Sequence, residues 1–236
     1  MQFSLADGAL WYGAFLFSTV CHEASHAWAA LRLGDDTASR GGQVSLNPWP
    51  HIRREPIGMV VLPIVTWFAA GWLMGWASAP YNADWARRYP RRTALMAAAG
   101  PAANLALLLA AALLIRVGCE WHVLAAPYTL NMSHATVAVD PGAMDVVAKL
   151  LSVFFSLNLL LFVFNLLPIP PLDGSSLPLL VLPESVARTY AAAMRSPLAR
   201  IVGFIIIAQG LGKFFPPIFA HVAALLYPGV HYASPV

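Results

Sequence analysis

Residues 94–115 run for 22 positions without a charged side chain, and residues 57–77 do so for 21. A helix needs about 20 largely apolar residues to cross a bilayer, and backbone polar groups must be satisfied internally there. Blocks of similar length follow at 8–33, 146–167 and 201–227. The last of these contains Lys213 and Pro216-Pro217, which fits either one kinked span or two short pieces. Composition agrees: 11% of residues are charged and the mean hydropathy is +0.65, whereas ordinary globular chains carry about 25% charge. The sequence therefore predicts an all-α integral membrane protein, a multi-pass bundle of about five to six apolar helices.

The stretches between the blocks set the organisation. Residues 35–56 are rich in Gly, Asp, Arg and Pro, and the alternation Gln43-Val44-Ser45-Leu46-Asn47 predicts a short membrane-associated β-hairpin after the first helix. Segments 78–93 and 183–200 carry the arginines, the second reading as a surface helix, while 117–145 has no Lys or Arg. The positive-inside rule then places 78–93 and 183–200 in the cytoplasm and 117–145 outside. Arginines flank 57–77 at both ends, so this block is either re-entrant, bent near Gly71 or Gly75, or spans against the charge rule; the flanking charges favour the re-entrant path. No repeat or detachable soluble domain is evident, so 1–236 reads as one domain.

Several classes drop out. The arginines cluster at block ends rather than along a continuous basic face, which argues against a nucleic-acid partner and for a lipid bilayer. Two cysteines, Cys21 and Cys119, make neither a disulfide framework nor a CxxC knuckle. No Lys or Arg precedes Arg32, so the first block does not read as a signal peptide.

The first block contains His22-Glu23-Ala24-Ser25-His26. Positions i and i+4 share a helix face, so both imidazoles can reach one ion, and Glu23 lies close to that face. Zinc suits two ring nitrogens and a carboxylate, with a fourth position open to water. It lowers the pKa of that water to about 7, and a glutamate can then act as general base. An ionisable group at the centre of a spanning helix costs on the order of 2.5–3.5 kcal/mol on insertion scales. Three polar groups in five residues therefore call for a metal or a wet cavity; the competing reading is a satisfied cluster joining helices.

A third ligand must come from elsewhere. Most carboxylates fall in interfacial or external segments, but Asp173 ends Asn165-Leu166-Leu167-Pro168-Ile169-Pro170-Pro171-Leu172-Asp173-Gly174, directly after an inward-running span. Its prolines stop the helix and leave unwound backbone, tolerated at membrane depth only beside protein or a cavity. The alternative is that Asp173 merely caps a following helix.

Taken together, His22–His26, Gly100-Pro101-Ala102-Ala103-Asn104 and Asn165–Gly174 resemble the three signature elements of the site-2 proteases, intramembrane zinc metalloproteases. The stretches Gly34–Ala38, Gly42–Ile52 and Pro56-Ile57-Gly58 resemble a compact prokaryotic branch, and the likeness covers about residues 10–195. It implies one zinc per chain on His22, His26 and Asp173, with Glu23 as base. It also implies that the 43–52 hairpin and Asn165 help hold an extended segment of a transmembrane substrate. It further implies a cell (plasma or inner) membrane location in a prokaryote, with the active site toward the cytoplasm. Where that branch usually has Gly-Trp-Ala-Lys-Pro, this chain has Gly75-Trp76-Ala77-Ser78-Ala79-Pro80, without the lysine. The 29-residue 117–145 loop leaves no room for a PDZ domain.

A helical substrate hides its carbonyls in its own hydrogen bonds and must unwind before water attacks. An edge strand captures extended backbone by strand addition, which makes Val44, Leu46 and Asn47 candidate substrate contacts. Asn104 fits either a site role or a helix–helix hydrogen bond, and His51 reads as part of the hairpin. The competing function is a zinc or divalent-metal transporter using a His-Glu-x-x-His helix. Transport needs further ligands along a path, yet 57–77 and 94–115 contain no His, Asp or Glu. A metal-free scaffold is the third reading, opposed by the intact His22, Glu23, His26 and Asp173. Oligomeric state and substrate identity are not encoded in any recognisable motif.

Overall fold

The computed structural model describes residues 4–230 and 232. Helices dominate it, as the apolar blocks require. Helix α1 (Leu5–Arg32) starts at Ser4, whose side chain accepts from the Asp7 amide, and carries Asp7 in its first turn and Arg32 in its last. Those charges oppose the helix dipole correctly. Two short helices follow, α2 (Thr37–Arg40) and α3 (Pro48–Arg54).

The hairpin expected over 43–52 does not form: residues 43–47 are bends leading into α3. The reason sits at Asn47-Pro48. The Asn47 side chain accepts from the Trp49 amide at 2.9 Å, and Pro48 takes the first helical position, where a missing N–H is harmless. His51 Nε2 donates to the Ser45 carbonyl at 3.0 Å, fixing the bend. Two-stranded pairing occurs instead between β1 (Leu124–Ala125) and β2 (Val137–Ala138), antiparallel, with Leu124 opposite Ala138.

Residues 57–77 fold back on themselves. A π-helical turn, Ile57–Val61, continues into α4 (Leu62–Ala70). Its 14 residues rise about 21 Å, short of the ~30 Å hydrocarbon core. Gly71, at φ +73°, ends the helix in the left-handed region that a Cβ disfavours. The chain then returns extended beside its own start: the Trp76 amide donates to the Gly58 carbonyl at 3.1 Å, and the Ser78 hydroxyl donates to Glu55 at 2.5 Å. The two ends of the block lie together, as a re-entrant segment requires.

Helix α5 (Ala83–Arg88) leads into the long apolar helices α6 (Pro90–Glu120) and α7 (Ala143–Asn165). A 3₁₀ helix (Asp173–Leu180), amphipathic α8 (Glu184–Met194) and α9 (Pro197–Ala224) complete the chain. The last apolar block is thus one helix that includes Pro216 and Pro217. Helices α6, α7 and α9 are each long and apolar enough to cross a membrane. Leu109, Leu113 and Leu114 on α6 and Ile201, Phe204 and Ile205 on α9 stay exposed, the surface expected of a protein solvated by lipid.

Two compact units emerge. The first runs to Ala103 and resumes over Val163–Phe204. Its core packs Ala30, Trp85, Ala86 and Met96 against Leu33, and Ala187 and Ala191 of α8 against Ala94 and Leu179. Buried Asp35 ties its loops, accepting from the Thr37 amide at 3.0 Å and the Asn82 amide at 2.7 Å. The second unit takes Asn104–Phe162 and the chain from Ile205 onward. There Leu108, Ala111 and Ile115 on α6, Val153 and Phe155 on α7, and Phe215, Phe219 and Ala223 on α9 are buried at helical spacing. The Tyr227 hydroxyl donates to the Ala135 carbonyl at 2.8 Å, and burial pushes its pKa up.

Candidate metal centre

The helical repeat of α1 stacks His22 and His26 on one buried face, with Glu23 beside them; all three are under one-tenth exposed. From the other part of the same unit, Asp173 meets them. After α7 the chain turns through Pro168, Pro170 and Pro171, and Asp173 opens the 3₁₀ helix. It does not cap that helix. Leu172 holds the cap position with no side-chain bond, and the Asp173 carboxylate turns to the imidazoles instead.

Three atoms converge. His22 Nε2 lies 3.0 Å from Asp173 Oδ2, His26 Nε2 lies 3.2 Å from the same oxygen, and the two Nε2 atoms are 3.0 Å apart. His26 Nδ1 is 2.8 Å from the Met96 carbonyl, which can only accept, so Nδ1 carries the proton. With Nδ1 engaged by the carbonyl, Nε2 is the ring nitrogen that faces His22 and Asp173, and it offers a lone pair to an ion when the ring is neutral. Ligands at about 2.0–2.1 Å from a tetrahedral ion stand roughly 3.3 Å apart, close to the observed triangle. Two imidazole nitrogens and a carboxylate oxygen form the donor set that zinc favours, so the residues present fit that ion.

Gly100 closes the other side. A Cβ there would overlap the Nε2 atoms of both His22 and His26, so α6 can approach the imidazoles only because this residue has no side chain. Among the described residues these three are the group of His, Cys, Asp and Glu side chains able to share an ion.

The remaining candidates separate. Asn165 is the last residue of α7 and half-buried. Asn104 is fully buried and its amide donates to Asn158 Oδ1 at 2.9 Å, the helix–helix bond foreseen as its alternative role. Val44 and Leu46 are exposed, and Asn47 is occupied as the cap of α3. His51 serves the Ser45 carbonyl. Sequence reasoning overlooked Asn158 and Met96. An Asn in the middle of the apolar block 146–167 was a readable signal; the Met96 backbone carbonyl gave none.

Comparison with known proteins decides the family, because the profile of peptidase family M50 matches residues 11–209. The chain belongs to peptidase family M50, the site-2 protease family. The matched region of this M50 chain runs through all three convergent side chains. It is 34% identical over 160 residues to "Putative zinc metalloprotease YwhC" of Bacillus subtilis, covering 67% of this chain and 63% of that protein. It is 31% identical over 160 residues to "Putative zinc metalloprotease Rip2" of Mycobacterium tuberculosis, covering 68% and 52%. The match thus spans between half and two thirds of these relatives' lengths. No solved structure matches the chain.

Proposed function

We propose that this M50 chain is an intramembrane zinc metalloprotease that hydrolyses a peptide bond within or near a transmembrane segment of another membrane protein. The convergence of His22, His26 and Asp173 in a chain with three membrane-length apolar helices carries this reading. The names of the relatives, each a "Putative zinc metalloprotease", support it.

In this reading His22 and His26 supply nitrogen ligands and Asp173 an oxygen ligand. Zinc, when bound, supplies Lewis acidity, lowering the pKa of a coordinated water to about 7 and polarising a carbonyl. The Met96 carbonyl orients the His26 ring by accepting from Nδ1, which leaves Nε2 as the nitrogen that would face the metal. Glu23 is the general base. Its carboxylate takes a proton from the attacking water as oxygen bonds to the peptide carbonyl carbon. It then passes that proton to the leaving nitrogen as the C–N bond breaks. Burial of the site limits water access while the substrate backbone is held. Asn165 remains a candidate contact for that backbone, with Val44 and Leu46 exposed beside α3. The arginine-bearing segments 78–93 and 183–200 support a cytoplasmic orientation in a cell membrane.

Glu23→Gln tests the reading. It keeps size and hydrogen bonding but cannot accept the proton. Cleavage of single-span reporters should fall by roughly 10²–10⁴-fold, with zinc content unchanged. Undiminished cleavage would refute the mechanism. Loss of zinc would make Glu23 a ligand and revive metal transport.

A further inference from the structure

Most arginines of the chain are engaged. Arg40 pairs with Asp36, Arg87 with Asp84, Arg116 with Glu120 and Arg188 with Glu184. Arg195 and Arg200, like Arg88 and Arg91, join no ion pair or hydrogen bond among the described residues, and of these four they are the two that line the cavity beside Asp173. Arg195 caps the end of α8 and is half-buried; Arg200 lies in the first turn of α9. Both line one cavity of about 140 Å³. The same walls carry Asp173 and Met96, the residue whose carbonyl orients His26. The hydroxyls of Thr93 and Ser175 are already bonded to backbone carbonyls, so the two guanidiniums are the unused donors of full charge.

We infer that this cavity is a subsite for a carboxylate of the peptide substrate. The inference rests on the proteolytic reading above. An occupant of the cavity touches both the wall formed by Asp173 and two unpaired guanidiniums. A guanidinium presents a planar fork of donors that matches a carboxylate bidentately. Arg195 is half-buried and Arg200 exposed, and an anionic occupant relieves the unpaired charge of the half-buried one. The volume accommodates a glutamate or aspartate side chain. The carboxylate has two possible sources: an acidic side chain beside the scissile bond, or the new C-terminus released by cleavage. A peptide carboxylate is favoured over lipid phosphate because the cavity wall includes Asp173, the candidate metal ligand, so an occupant there sits beside the proposed site of cleavage.

Binding is read without turnover, on full-length zinc-loaded Glu23→Gln protein in detergent, by fluorescence anisotropy. Three labelled apolar hexapeptides serve as probes: one with an internal Glu and an amidated C-terminus, its Gln counterpart, and the Gln peptide with a free C-terminal carboxylate. At least one carboxylate peptide should bind about ten-fold more tightly than the Gln amide, and which one does so identifies the source. Adding Arg195→Gln and Arg200→Gln together should remove that preference, whereas Arg88→Gln, an exposed arginine outside the cavity, should keep it. Equal binding of all three peptides overturns the subsite, as does a preference lost equally in Arg88→Gln. A preference that survives in the double variant overturns it too. If the arginines affect only retention of phosphatidylglycerol in mixed micelles, the occupant is lipid and the inference fails. Because no cleavage is required, failure of the proteolytic reading would show separately, as reporters that Glu23 does not help to cut.

Discussion

Two polar clusters are buried among apolar helices, and they are built on opposite principles. In the second unit, Asn104 donates to Asn158, Asn158 donates to the Phe154 carbonyl, and the Ser152 hydroxyl accepts from the Thr136 amide. Each of these bonds pairs a donor with an acceptor. In the first unit, His22 Nε2, His26 Nε2 and Asp173 Oδ2 gather three potential ligand atoms within 3.0–3.2 Å of one another. The first kind of cluster pairs protein donors with protein acceptors and joins helices. The second kind turns its atoms to a shared point, the arrangement a cation suits. Polar residues at membrane depth thus fall into two classes by whether their hydrogen-bonding atoms pair or crowd.

The largest effect expected from perturbing this contrast, short of removing a ligand, is at Gly100. Gly100→Val would drive a side chain into both imidazoles. Zinc affinity should fall by about 10–100-fold, the range for displaced supporting contacts, measurable by competition with a chelator. A much smaller effect is expected from Asn104→Leu, which breaks a cluster of the paired kind. It should lower stability by about 0.6–2 kcal/mol, seen in thermal melting in detergent, with zinc content unchanged. A loss of zinc in Asn104→Leu would show that the two clusters are not separable. The smallest perturbation concerns topology. Cysteines placed at Ser39 and Ala83 in a background lacking Cys21 and Cys119 should label from the same membrane face without changing stability. Labelling from opposite faces would contradict the re-entrant path of 57–77.

The contrast also explains what was legible in the sequence. The His22–His26 spacing encodes its own geometry, because helical periodicity alone aligns the two rings. Asp173 was traceable because few carboxylates follow an apolar span directly. The meeting of the two ends of 57–77 was traceable from arginines at both ends of an uncharged block too short to cross twice. The hairpin at 43–52 was misread because the alternation of Val44 and Leu46 masked a stronger local signal, Asn47 followed by Pro48, which starts a helix. The pairing of β1 with β2 rests on two residues a strand and left no pattern to read. The Asn104–Asn158 bond joins residues 54 apart in sequence, and nothing local announces a partner at that distance. Backbone participants such as the Met96 carbonyl are invisible to side-chain reasoning altogether.

The zinc content of the purified full-length chain, measured by elemental mass spectrometry beside Asp173→Asn, tests the central claim most directly. Asn keeps the shape of the side chain but removes its charge. The three-atom cluster predicts one zinc per chain in the unaltered protein and an affinity at least about 10²-fold weaker in Asp173→Asn, with the helical content of both the same. Equal zinc content and affinity in the two proteins would show that the convergence of His22, His26 and Asp173 does not hold the metal.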